Sequence, residues 1–141
     1  MMSDFRGLYI HVPFCLRKCP YCDFYSVTEE SLREDYAAAV VRNLRRYPEL
    51  FGTVYFGGGT PNLLAPHMAE IMAGEAAPGA EVSAECNPAS TTAETLEMLR
   101  NAGVNRISVG VQSLQDGELR KLGRLHSAAQ AVELIESAHS A

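Results

Sequence analysis

The sequence predicts an α/β fold, a curved, barrel-like parallel sheet of about four strand–helix units. Three observations lead there. Short β-rich runs alternate with stretches of helical periodicity along the whole chain. The runs carry one apolar and one polar face, as a sheet covered by helices on one side requires. The residues with the most chemical reach sit at or just after the ends of the runs, and parallel barrels place their active sites at the C-terminal strand ends.

The first run is Leu8 to Phe14, in which Leu8, Ile10 and Val12 share one face and Tyr9 and His11 the other. A cysteine-rich loop follows. Ser31 and Glu34 then have the spacing of a capping box, and Leu32, Tyr36, Val40 and Leu44 recur every four residues until Pro48 ends the helix. Thr53 to Phe56 is the second strand, ending in Gly57-Gly58-Gly59-Thr60-Pro61. Pro66 opens the next helix, with apolar Met68, Ile71 and Met72, and Pro78-Gly79 closes that unit. Glu81 to Cys86 is the third strand. Thr91 and Glu94 cap a helix containing Leu96 and Leu99 that ends near Gly103. Arg106 to Gln112 reads as the fourth strand, followed by a short helical piece with Leu119 and Leu122. Ser127 and Gln130 open a last helix.

Strand parity predicts where a ligand goes. Val82, Ala84 and Cys86 oppose Ser83 and Glu85, and Ile107, Val109 and Val111 oppose Ser108, Gly110 and Gln112. Helices must cover the apolar set, so Tyr9, His11, Tyr55, Ser83, Glu85, Ser108 and Gln112 are expected to line the inside of a curved sheet.

Cys15, Cys19 and Cys22 bring three of the four cysteines into eight residues. C-x3-C-x2-C spacing lets three thiolates hold three corners of a cubane iron–sulfur cluster, leaving one iron open to a small molecule. Zinc, with His11 as fourth ligand, is the competing reading, although zinc sites usually show paired C-x2-C units. Cys86 falls on the helix-facing side, where a small thiol behaves as a hydrophobe. Taken alone, Glu85 reads as a surface carboxylate, Gln112 as a sheet residue and Arg124 as a solvated or capping arginine. His67, His126 and His139 have no ligand spacing and read as ordinary polar residues.

Composition narrows the partners. With 47% hydrophobic and 21% charged residues the chain is an ordinary α/β composition. No run approaches the roughly 18 apolar residues needed to cross a bilayer. The stretch Met1 to Leu8 lacks the apolar core of an export signal. Free thiols then imply a reducing compartment, which predicts a cytoplasmic protein. Net charge is −5 and no basic stripe is present; Arg42, Arg45 and Arg46 fall on a helix face, so nucleic acid is not an expected partner.

The segments YIHVPFC, CPYCDF, YFGGGTP, ECNP, SVGVQS and LGRLH, in this order, resemble the radical S-adenosylmethionine (SAM) superfamily. Within it the likeness is to the oxygen-independent coproporphyrinogen III oxidase group and its HemW-type haem-chaperone relatives. The resemblance implies a partial TIM barrel of about six strand–helix units with a further C-terminal domain. Residues 1–141 would then be a truncated radical SAM core. It implies a [4Fe-4S] cluster on Cys15, Cys19 and Cys22, with SAM chelating the open iron. Tyr9, Tyr21, Gly58, Gly59, Thr60, Glu85, Gln112 and Arg124 would surround SAM. Its implied chemistry is radical oxidoreduction fed by a low-potential electron donor such as flavodoxin or ferredoxin, with haem or a porphyrinogen as the further partner. No single residue is assigned as catalytic. In the oxidase proper another cysteine stands two positions after the third, where this chain has Phe24, so the haem-chaperone branch is the expected one.

Overall fold

The computed structural model describes residues 6–141; of the stretch read as lacking an export signal, Met1–Phe5 lie outside the described residues. Four strands, β1 (Arg6–Val12), β2 (Phe51–Gly58), β3 (Ala76–Cys86) and β4 (Arg106–Val109), form one parallel sheet in sequential order. The helices between and after them are α1 (Arg33–Leu44), α2 (Ala65–Ile71), α3 (Ala93–Asn101), α4 (Asp116–Lys121) and α5 (Ala128–Ser140). This is the alternation that the sequence predicts.

Register turns the parity into rows. Ile10, Phe56, Ala84 and Ile107 lie side by side across the sheet on the apolar face, and Tyr9, Tyr55, Ser83 and Arg106 form the next row on the other. Phe56 and Val12 are fully buried against Met68, Ile71 and Leu99 from the helices. Burying a side chain of this size contributes about 1.5–3 kcal/mol. The opposite face stays open: Tyr9 is 57% exposed. Helices on one side only therefore leave the polar side of the sheet as the place for a ligand.

Several local expectations are corrected. The Ser31–Glu34 capping box does not form, because Ser31 lies inside a 3-10 turn over Glu30–Leu32 that runs directly into α1, so the residue before α1, Leu32, is already helical and the extended residue is Glu29. The Ser31 hydroxyl donates to the Glu29 carboxylate instead. Thr92, not Thr91, caps α3: its backbone is extended and its hydroxyl accepts from the Thr95 amide, whereas Thr91 Oγ1 donates to the Asn87 carbonyl. β3 begins at Ala76, with Pro78-Gly79 inside it at a break in register and Gly79 at φ +78. β1 ends at Val12, and Phe14 pairs only with Val27. β4 ends at Val109: the Gly110 amide makes the last ladder bond, to the Cys86 carbonyl, and the Val111 amide then turns back to the Val109 carbonyl. The Ser127–Gln130 capping box forms as expected.

Candidate functional site

The chain between β1 and α1 is a clamped loop. The Val27 amide donates to the Pro13 carbonyl at 2.6 Å and the Cys15 amide to the Val27 carbonyl at 3.0 Å, closing the loop at its neck. A turn from the Cys19 carbonyl to the Cys22 amide, 3.0 Å, folds its tip. Cys15, Cys19 and Cys22 all line one cavity of about 300 Å3 above the C-terminal strand ends.

β2 delivers the opposite wall. Gly58 sits at φ +112, where only glycine is unstrained, and a Cβ on Gly59 would stand 2.7 Å from the Phe14 carbonyl oxygen and 3.1 Å from Cys15 Sγ. Glycine here lets β2 close against the cysteine loop. The amides of this run are all spent: Gly58 on Glu85 Oε2 (3.2 Å), Gly59 on the Val12 carbonyl (2.8 Å), Thr60 on the Phe14 carbonyl (2.6 Å). The Thr60 hydroxyl donates to Cys15 Sγ at 3.5 Å.

β3 and the segments after β4 complete the ring. Glu85 is fixed by Tyr55, whose hydroxyl donates to Oε1 at 2.8 Å, and by the Gly58 amide. Burial first, and then this bond to Glu85, push the Tyr55 hydroxyl above its ordinary value. Gln112 lines the cavity from φ +67, a left-handed conformation uncommon for a residue with a side chain. Arg124 donates through Nη2 to the Gly110 carbonyl (2.8 Å) and Asn87 Oδ1 (3.3 Å), and through Nη1 to the Tyr21 hydroxyl (3.5 Å) and Cys19 Sγ (3.8 Å). Its Nε is buried with no partner among the described residues. Tyr21 is half-exposed, and partial burial raises its hydroxyl against the opposing pull of Arg124.

Of the residues singled out from sequence, Cys15, Cys19, Cys22, Tyr21, Gly58, Gly59, Thr60, Glu85, Gln112 and Arg124 therefore line the same cavity. Tyr9 does not line it; its ring stacks on Tyr55 at 6.2 Å in the lumen, and its hydroxyl meets His11 Nδ1 at 3.0 Å. His11 Nε2 meets the Tyr25 carbonyl, so both ring nitrogens of the proposed fourth zinc ligand are engaged by protein. Among the described residues no three His, Cys, Asp or Glu side chains group closely enough for a single metal ion. Three thiols spread around one cavity suit a cluster, in which each thiolate takes its own iron. Cys86 stays in the core, where burial pushes its thiol up to about 12.

Sequence reasoning missed two asparagines. Asn62, 2% exposed, donates to the Ser90 carbonyl and hydroxyl and accepts from the Asn87 amide, tying the β2 end to the β3 end. Asn87 in turn holds Arg124. The signal for Asn62 is a polar residue amid Pro61, Leu63 and Leu64, which reads equally well as a loop, and Asn87 lies in the ECNP segment with nothing there to mark its hold on Arg124.

The Radical SAM superfamily profile matches residues 9–141. The chain is 39% identical to the heme chaperone HemW of Escherichia coli (strain K12), over 89% of this chain and 36% of that protein. It is 37% identical to an oxygen-independent coproporphyrinogen III oxidase of Bradyrhizobium diazoefficiens, over 92% of this chain and 32% of that protein. A solved structure of the E. coli coproporphyrinogen III oxidase HemN, a radical SAM enzyme, superposes with a TM-score of 0.85 at 24% identity, covering 96% of this chain and 35% of that one. At that identity the likeness speaks for the fold. The chain thus spans about a third of the length of each. A profile match over nearly the whole chain, with the cysteine loop facing the glycine run across one cavity, places the chain in the radical SAM superfamily.

Proposed function

We propose that this chain forms the [4Fe-4S]- and SAM-binding part of a radical SAM protein of the haem-chaperone type. The observation that carries the reading is the convergence of three cysteines, Gly58-Gly59-Thr60, Glu85, Gln112 and Arg124 on one cavity. When bound, the reduced cluster and SAM together supply one-electron cleavage of a sulfonium bond and so a hydrogen-abstracting radical. The chain's own residues bind and orient. With the amides of Gly58, Gly59 and Thr60 already spent, the glycine run offers carbonyl oxygens, which suit an ammonium group. The charged guanidinium of Arg124, which lines the cavity, suits a carboxylate. Glu85, held by two donors, presents a fixed acceptor, and Gln112 an amide beside it. The half-exposed Tyr21 ring adds an aromatic surface to the cavity wall, and Tyr9 stacks on Tyr55 in the lumen.

Phe24 supports the chaperone branch: it lines the cavity, 64% exposed, at the position where the oxidase group carries a further cysteine. The HemW relative agrees. The Bradyrhizobium relative supports the second reading, coproporphyrinogen III oxidation by the same radical chemistry. Further strand–helix units, a C-terminal domain, a flavodoxin- or ferredoxin-like electron donor and a reducing, cytoplasmic setting belong to this proposal. Among the described residues no helix is long and apolar enough to cross a membrane.

Anaerobic reconstitution with iron and sulfide, then EPR of the reduced chain with and without SAM, tests the core reading. A [4Fe-4S] signal that SAM perturbs is expected; a signal indifferent to SAM defeats it. Haem and coproporphyrinogen III, added in turn to the loaded protein extended through those further units and the C-terminal domain, separate the branches. Haem binding without decarboxylated product is the expected result, and turnover of the porphyrinogen would select the oxidase.

A further inference from the structure

The three loop cysteines are not equivalent. Cys15 Sγ receives the Thr60 hydroxyl at 3.5 Å and Cys19 Sγ receives Arg124 Nη1 at 3.8 Å, while Cys22 Sγ has no protein donor among the described residues. Both donors are built in. Thr60 is 5% exposed, its amide is held by the Phe14 carbonyl and its carbonyl by the Leu63 amide, so its side chain has little freedom to turn away. Cys15 Sγ is the one partner of that hydroxyl among the described residues, and without it a buried donor would stand unsatisfied. Arg124 is aimed at the loop by the Gly110 carbonyl and by Asn87 Oδ1, and Asn87 is itself anchored by Asn62.

We infer that Thr60 and Arg124 set the reduction potential of the cluster through hydrogen bonds to two of its three thiolates, with Asn87 as the positioning residue for Arg124. The inference rests on the cluster reading above. Adding one electron from a low-potential reductant increases the negative charge shared over iron and sulfur. Donors on the thiolates stabilise that reduced state and make the potential less negative. Arg124 brings a full positive charge to Cys19, and Thr60 brings a neutral dipole to Cys15. Cys22, the undonated corner, keeps the most electron-rich sulfur. A cluster so tuned accepts an electron from a weaker donor than a bare three-thiolate site would need.

The test is an EPR-monitored redox titration of the reconstituted chain without SAM, so that ligand affinity does not enter. Thr60→Val keeps the shape and removes the hydroxyl; Thr60→Ser restores it. The Val variant is expected to show about a tenfold lower ratio of reduced to oxidised cluster at the wild-type midpoint, a shift of about 59 mV for one electron. Ser should return it to the wild-type value. Asn87→Leu removes one of the two acceptors that aim Arg124 and leaves the Gly110 carbonyl and Thr60 in place, so it should shift the potential in the same direction by less, and Arg124→Met, which removes the donor to Cys19, by more. Iron and sulfide content reports loading independently of potential. A loaded Thr60→Val chain that titrates with the wild type overturns the inference alone, and if that variant fails to load, a loaded Arg124→Met chain with an unshifted potential does so. A wild-type chain that takes up no four-iron cluster overturns the parent reading and this inference with it.

Discussion

At the residue scale the molecule separates its cysteines by environment. Cys86 is buried in the core with its thiol pushed up to about 12, so at pH 8 almost none of it is thiolate, the reactive form. The three loop cysteines are only part-buried and line an open cavity. Iodoacetamide at pH 8 should therefore alkylate Cys15, Cys19 and Cys22 in the native chain and reach Cys86 only after denaturation, as peptide mass spectrometry would show. Early labelling of Cys86 would contradict its place in the core. His126 gives a second residue-level prediction. It is 4% exposed, its Nε2 meets the Val111 carbonyl, and burial lowers its pKa below the ordinary histidine value. The unfolded chain then binds the proton first, so His126 costs stability as pH falls below about 6.5 and the loss levels off beneath its folded pKa. Unfolding midpoints of the wild type and His126→Gln, compared at pH 7.5 and 5.5, should show a smaller acid-induced drop in the variant. The cysteines, Glu85 and Arg124 were legible because motif and parity name them. The burial of His126 and the bracing by Asn62 and Asn87 were not, because both arise from contacts between segments distant in sequence.

At the element scale the periodicities survive and the ends move. Apolar rows fix which face of each strand is buried, and this made the sheet legible; caps and strand ends depend on a few dihedrals that several neighbouring residues satisfy equally well. The two serine caps make this measurable. Ser127 accepts from the Gln130 amide at 3.2 Å, whereas Ser31 caps nothing and bonds Glu29. Ser127→Ala should cost about 1 kcal/mol and Ser31→Ala a few tenths at most, read by urea unfolding. Equal losses would show that the 3-10 turn before α1 is not the true start of that helix. The junction of β2 with the cysteine loop is less forgiving. A Cβ on Gly59 meets two backbone carbonyl oxygens, at 2.7 Å and 3.0 Å, and neither can rotate aside as a side chain would. Gly59→Ala should thus cost about 1–3 kcal/mol and reduce iron uptake on reconstitution, because the strand end must part from the loop. Wild-type loading in that variant would mean the loop moves without β2.

At the scale of the whole molecule stability is expected to fall across the sheet. β1 and β2 share seven paired residues in parallel register, and β3 and β4 share four. β2 and β3 are each flanked by a strand on both sides, while among the described residues β1 and β4 are paired on one side only, β4 by the shorter ladder. Between β4, α3 and the end of α5 lies a groove of about 430 Å3 lined by Leu96, Leu99, Val104 and Ile107, with Arg100 and Arg106 beside them and Ala138 and Ala141 opposite. A short strand held by one ladder among the described residues, with none of its four residues fully buried, opens at low cost. Hydrogen exchange followed by mass spectrometry should accordingly find the amides of β2 and central β3 slowest and those of β4 among the fastest in the sheet. Arg124 and Gln112 follow β4 in sequence, so the same opening would loosen the side of the cavity that holds Cys19 and Tyr21 while Thr60 and Cys15 stay fixed on β2 and β1. SAM bound to the reconstituted chain, bridging both walls, should then slow exchange at β4 more than at β2. Equal protection of the two strands, with or without SAM, would show that the cavity is held as one rigid unit by the sheet alone.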